Sequence, residues 1–411
     1  VVSQKIKRNL SILKDHEGII AISYTNKASN ELKKRSLSNG ENPKASFFGT
    51  IDRFNLSEIL IPFGKLMFGI PTNDLKIIKG SSLENFETEN LQWIDRNISI
   101  DELNKAKLEI LVSLFLKGII FIEVIGLLSN YILQNSLACQ KYIRSRYRYI
   151  YIDEYQDSGQ NQHDIFLKIN GLGIAAVAVG DLNQSIFVFS FKDPKYLEEL
   201  SRNDNFKYFK LDKNHRCHPS IINYSNYLLN SKTELIPEGG TRVFSLKTAG
   251  DESSIAEYVD KNLIELKRVF SLERNNQIAI LVRNARSANL IRNKLKTKNR
   301  FFITNELDSN LNIWSLIFSK LLHYIFHKHE TFIDVIEVFT TYDKFSKIDL
   351  SKLKKCRKQI QILISKEKID FKSLKEVFVE IAEIISPSLK SHESIDLLEK
   401  TLNVPDEPNS Y

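Results

Sequence analysis

The hydrophobic pattern of this chain is carried by five short runs: GIIAISYT (18–25), YRYIYIDE (147–154), GIAAVAVGD (173–181), NFKYFKLDKNHR (205–216) and QIAILVRN (277–284). Four of them are continuously apolar rather than alternating, the pattern of strands covered on both faces in a parallel sheet; the fourth reads as an edge strand. Helical segments separate the runs, so the expected class is α/β, built on a parallel sheet. Residues 57–145 show helical periodicity and little strand signal. From about residue 296 the chain is helical and Lys-rich, broken by loop chemistry at IISPSLKSHES and by the two prolines of NVPDEPNSY. The most apolar stretch, ILVSLFLKGIIFIEVIGLL (110–128), is interrupted by Lys117 and Glu123, which argues against a membrane span and for a buried helix.

Composition narrows this picture only slightly. The chain has 411 residues, 42% of them hydrophobic, which allows two or three domains with real cores. Its 58 basic and 50 acidic side chains leave a formal charge of +8, compatible with a polyanionic partner. Cys139, Cys217 and Cys356 lie far apart without C-x-x-C spacing, so neither a disulfide framework nor a thiolate metal site is indicated, and a reducing cytoplasm is the expected compartment.

The chemistry lies where the runs end. In an open parallel sheet, ligands bind beyond the carboxyl ends of the strands. There the sequence supplies Thr25, Asn26 and Lys27 after the first run, and Asp153 and Glu154 after the second, with Asp157 close behind. Gly180, Asp181 and Gln184 follow the third run, and Asn214 and Arg216 the fourth. Adjacent carboxylates behind an apolar strand suit a hard cation: Mg²⁺ needs one or two protein carboxylates plus phosphate oxygens. The second carboxylate can orient or deprotonate a water, while Gln and Arg answer the charge of a transferring phosphoryl group. Two other polar clusters have weaker claims. His215, Cys217 and His218 in HRCHP, and His323 with His327, lack further ligands at zinc-like spacing.

These residues sit in boxes that resemble those of the UvrD/Rep-like superfamily 1 DNA helicases. IDEYQDS resembles their D-E-x-Q-D box, ISYTNKASNELKKR their T-N-K-A segment and FFGTIDRF their G-T-x-H-x-F segment. VAVGDLNQSIFVF resembles the G-D-x-x-Q-S-I-Y box, LDKNHRCHPSIINYSN the N-Y/F-R-S box and IAILVRNARSANLI the I-L-x-R segment. All six stand in the family's order. Within that family, Asp52 in place of the usual His, the SEILIPFGKLMFG run and N-H-R-C in place of N-Y-R-S look closest to the helicase-like subunit of the Gabija anti-phage system.

The resemblance implies RecA-like P-loop NTPase domains with helical insertions. A first RecA-like domain would comprise residues 1–56 and 146–207, with a 1B-like helical insertion at 57–145. A second would start at 208–295, with a 2B-like insertion and truncated end at 296–411. No G-x-x-x-x-G-K-[ST] loop precedes VVSQKIKRNL and no A-K-G-L-E-type box follows NVPDEPNSY, so the sequence reads as a motor core lacking both ends, inactive as a fragment.

By the same resemblance Asp153 holds Mg²⁺, Glu154 is the catalytic base, and Gln184 and Arg216 contact the γ-phosphate of ATP. Thr25 and Asn26 touch phosphates of single-stranded DNA, with Tyr24 and Phe189 as stacking faces for bases. Ser190, where the family often has arginine, implies a weaker grip there. The implied function is an ATP-dependent DNA helicase or translocase in anti-phage defence, with DNA and an OLD-family nuclease subunit as partners. The alternative is a DNA-end or nucleotide-sensing regulatory subunit of a nuclease complex that unwinds little.

Overall fold

The computed structural model describes residues 2–38, 40–73, 75–80, 91–94, 98–186, 192–237, 239–247, 249–301, 313–326, 350–365, 369, 371–385 and 395–396. The chain divides into two compact units, one comprising Val1–Phe209 and Asn310–Glu399, the other Lys210–Ser309 and Lys400–Tyr411.

The first unit is organised by a parallel sheet of β1 (Gly18–Ile22), β2 (Phe47–Gly49), β5 (Tyr147–Ile152) and β6 (Ala175–Ala178), in the order β2-β1-β5-β6. The α/β class expected from the runs is therefore what the chain adopts. Period-two alternation assigns each strand residue to a layer. Ile20, Ile22, Ile150 and Ile152 face a large core that includes Phe54, Tyr155, Ile165 and Phe166. Ile19, Ala21 and Tyr151 face the opposite side, against Val2, Ile6 and Leu10. Those three residues recur at every fourth position of α1 (Val2–Leu10), so one stripe of the helix is buried. Both faces of β1 are thus covered, which is why it tolerates no polar residue over its five positions. β6 departs from the expectation of a strand buried on both faces. It closes the sheet as an edge strand, and its residues are partly exposed.

β1 leads into α2 (Asn26–Ser36) and β2 into the short helix α3 (Ile51–Phe54). Thr25 and Thr50 cap these helices, their hydroxyls accepting from Ala28 N (3.1 Å) and Arg53 N (3.3 Å). A π-helical turn, Asn55–Leu60, continues into α4 (Ile61–Phe68) and carries Glu58 into the interior. The buried carboxylate is matched there by Arg146 Nη1 at 3.0 Å and Tyr142 Oη at 2.7 Å, both from the helix that precedes β5.

Between these elements lie β3 (Lys76–Ile78), α5 (Lys105–Leu116), β4 (Ile119–Phe121), α6 (Ile125–Asn135) and α7 (Leu137–Arg146). Two expectations fail here. The stretch 110–128 is two helices rather than one, because the chain turns at Gly118 with φ +82, a left-handed conformation that glycine takes without a Cβ clash. The residues after that turn pair as β4 with β3 in a small parallel sheet, which the helical pattern of 57–145 did not announce. α8 (Gln160–Gly171) and α9 (Lys195–Arg202) flank the main sheet. The later helices Ile313–Phe326, Leu350–Ile364 and Phe371–Ile385 agree with the expected helical character, and Phe318 stacks on Phe378 with centroids 5.1 Å apart.

The second unit contains α10 (Pro219–Leu229), α11 (Ser253–Val269) and α12 (Ala285–Lys294). Ser287 Oγ donates to Glu252 Oε1 at 2.8 Å, tying α12 to the start of α11. The fourth and fifth runs were expected as strands, yet among the described residues neither joins a ladder. Leu211 and Leu281 are 69% and 92% exposed. A strand exists only where a neighbour completes its hydrogen bonds, and no described segment does so here. Among the described residues no helix is long and apolar enough to cross a membrane.

Candidate functional site

The carboxyl edge of the four-stranded sheet gathers the polar residues of the first unit. Backbone bonds extend the ladder past the strands and fix this edge. Ser23 N donates to Gly49 O (3.2 Å), Asp153 N to Ile22 O (3.0 Å), Val179 N to Ile152 O (2.9 Å) and Tyr155 N to Val179 O (2.9 Å). Asp153 is therefore held at the end of β5 beside β1, and Glu154 beside β6.

Glu154 adopts φ 58 and ψ 44, the left-handed region, where a residue with a Cβ is strained by roughly 1–3 kcal/mol. That conformation turns the chain sharply out of the strand and leaves Glu154 exposed while Tyr155, Gln156 and Asp157 turn inward. The carboxylate does not swing freely. Gln156 Nε2 donates to Glu154 Oε2 at 2.7 Å, and Gln156 Oε1 accepts from Asp181 N at 3.0 Å. Asp181 Oδ2 in turn accepts from Gln184 Nε2 at 2.6 Å. A chain of three hydrogen bonds thus joins Glu154 to Gln184, with the 1% exposed Gln156 at its centre. Gly180 makes room for it: a Cβ there would lie 2.6 Å from Gln156 Oε1.

Electrostatics sharpen the edge. Burial raises the pKa of the Asp153 carboxyl above the usual range, and the neighbouring Glu154 raises it further. Burial and then Glu154 do the same to Asp157, opposed by Lys192 and by a hydrogen bond from the Ile186 backbone. Asp52, at the start of α3, is raised by burial, opposed by Lys192 and by a hydrogen bond from Gln162. Paired hard oxygen donors at a strand end suit Mg²⁺, which needs only one or two of them when phosphates complete its shell.

Three of the four residues expected around a triphosphate, Asp153, Glu154 and Gln184, stand on this one edge. Arg216 belongs to the other unit, where its backbone N–H and that of Cys217 donate to Asn214 Oδ1 at 2.9 and 3.0 Å. Thr25 and Asn26 are exposed at the start of α2, and Tyr24 is half-buried between β1 and that helix. Phe189 and Ser190 lie outside the described residues. The HRCHP cluster has a structural use, since the His218 side chain caps α10 by accepting from Ser220 N.

Sequence reasoning passed over Gln156 and Lys192. The first was legible in the quoted D-E-x-Q-D box, because a polar residue that turns inward two positions after an acid can tether it. The second carried no signal, since only folding brings it to Asp52 and Asp157.

A family model for the UvrD/REP helicase N-terminal domain matches residues 79–205, which include this edge from Asp153 to Gln184. The chain is a UvrD-like helicase relative. It is 31% identical over 316 residues to Gabija protein GajB of Bacillus cereus (strain VD045), covering 74% of this chain and 58% of that protein. It is 23% identical over 297 residues to ATP-dependent DNA helicase Rep of Buchnera aphidicola subsp. Schizaphis graminum (66% of this chain, 44% of that protein). With ATP-dependent DNA helicase PcrA of Staphylococcus epidermidis it shares 28% identity over 160 residues, or 36% of this chain and 21% of that protein. The UvrD-like chain thus spans less than two thirds of the length of each of these relatives.

Proposed function

We propose that this chain forms part of an ATP-dependent DNA helicase or translocase that works in the cytoplasm in anti-phage defence. The observation that carries the reading is the hydrogen-bonded path Glu154–Gln156–Asp181–Gln184 along the carboxyl edge, which couples a water-facing carboxylate to an amide poised for phosphate. In this reading the RecA-like, 1B-like and 2B-like divisions of the chain follow those of UvrD-type motors.

Asp153 would hold Mg²⁺, which when bound neutralises charge on the phosphates of ATP. Glu154 takes a proton from the attacking water, its carboxylate kept in one orientation by the Gln156 amide. Gln184 meets the γ-phosphate and transmits its presence to Glu154 through Asp181 and Gln156. Arg216 contributes a fixed positive charge to the transferring group. Tyr24, with Thr25 and Asn26, receives single-stranded DNA at the end of β1, and Phe189 offers a second stacking face.

The wide likeness to GajB, which exceeds that to the proteins named as DNA helicases, supports a second reading: a DNA-end or nucleotide sensor that regulates an OLD-family nuclease subunit. DNA-stimulated ATP turnover and strand separation by the full-length protein distinguish the two. Glu154→Gln is expected to reduce turnover by a factor on the order of 10² to 10⁴. Unchanged turnover would exclude the motor, whereas turnover without strand separation would favour the sensor.

A further inference from the structure

Close to Tyr24 lies a group of charges that the hydrolytic path does not use, with Asp157 buried and Asp52 and Lys192 half-buried. Asp52 enters it from the start of α3, Asp157 from the turn after Glu154, and Lys192 from the segment that leads to α9. Lys192 Nζ donates to Gln162 Oε1 at 3.1 Å, and the same oxygen accepts from Gly159 N at 3.0 Å at the start of α8. The Gln162 side chain also favours the ionised form of the Asp52 carboxyl. The next residue continues the attachment, Asp193 N donating to Ser158 O at 3.1 Å. Lys192 is therefore fastened to the turn that carries Asp157 and attracts both carboxylates. Burial, and then the negative charges of Asp157 and Asp52, raise the pKa of the Tyr24 hydroxyl above its ordinary value. Among the described residues Asp157 Oδ1 is buried without a hydrogen-bond partner.

Two carboxylates near a surface that receives a polyanion would repel it, the more so where one of them, Asp157, is buried. We propose that Lys192 is a positioning residue for nucleic-acid binding: it offsets Asp52 and Asp157 and pins their two segments, so that the end of β1 can receive a phosphate backbone. This inference rests on the DNA reading above and adds a half-buried residue that acts by positioning, without itself touching phosphate.

Two independent properties of binding separate that role from a direct contact. Affinity reports the charge under the site, whereas the salt dependence reports how many phosphates are neutralised, with a slope of about 0.7 per phosphate for single strands. The experiment titrates the full-length protein into a fluorescent oligothymidylate at several salt concentrations. Lys192→Met is expected to weaken binding about tenfold with the wild-type salt slope, and Lys192→Met with Asp52→Asn to return to within about threefold of wild type.

Asp52→Asn alone is expected to tighten binding about threefold, and it decides the matter if Lys192→Met does not fold by circular dichroism. Wild-type affinity in a folded Lys192→Met protein, a salt slope reduced by about 0.7, or no tightening in Asp52→Asn would each overturn the role of Lys192. A wild-type protein that ignores the oligonucleotide would overturn the DNA reading, and this one with it.

Discussion

The first and fifth apolar runs, GIIAI at 18–22 and IAILV at 278–282, are nearly interchangeable in composition and meet opposite fates. The first is β1, laddered on both sides and wholly buried; the other forms no ladder among the described residues, and its Leu281 is 92% exposed. Their intrinsic preference for extended backbone is the same. The difference lies in what surrounds them, since β-propensity expresses the fit of a side chain to neighbours on a pleated surface. Burial, and with it the energetic weight of each methylene, follows the ladder.

The sharpest way to break this comparison is to truncate one residue in each run. Ile20→Ala is expected to destabilise the first unit by roughly 2–5 kcal/mol, because the vacated volume is enclosed on all sides. Leu281→Ala is expected to change stability by no more than about 0.5 kcal/mol. Chemical denaturation followed by intrinsic fluorescence measures both, and equal losses would mean that the fifth run is packed after all.

A smaller effect is expected from Gln156→Ala. It strands the Asp181 N–H and releases Glu154, at a cost of roughly 1–3 kcal/mol in stability. The same change should lower the turnover of the full-length protein at saturating ATP. Loss of stability with full turnover would show that the tether serves the fold alone.

The smallest effect concerns pH. Asp157 has a raised pKa in the folded chain, chiefly from burial, so its ionised form is disfavoured there. A raised carboxylate contributes stability that is fully present below its unfolded value, near 3.9, and lost as pH rises through the folded value. Asp157→Asn should therefore raise the melting temperature at neutral pH, by an amount that shrinks to nothing as pH falls towards about 4. A constant difference across that window would show that the cost is steric rather than one of ionisation.

How much was legible follows the same division. The first three runs announced themselves, because a strand in the layered sheet of the first unit must be apolar along most of its length. β2 did not: its three residues, Phe47 to Gly49, are too few for any period, and it is a strand because β1 pairs with it. Asp153, Glu154 and Gln184 were expected on one edge because strand ends in such a sheet point there and because their boxes are short and ordered, and the structure places them along it. Gln156 was present in the same box and carried a second meaning that only its inward turn reveals. Lys192 could not be read at all, since its partners are 140 and 35 positions away in Asp52 and Asp157.

The sequence by itself determined the local matters: which stretches favour extended backbone, where Thr25 and Thr50 stop the chain to start helices, and which carboxylates follow β5. These depend on periods and caps that act within a few residues. Tertiary structure alone decided which runs became strands, that the Glu154 carboxylate is tethered towards Gln184, and that one lysine answers two distant aspartates. Hydrogen-bond ladders and buried charge have no meaning until remote segments share a space from which water is excluded.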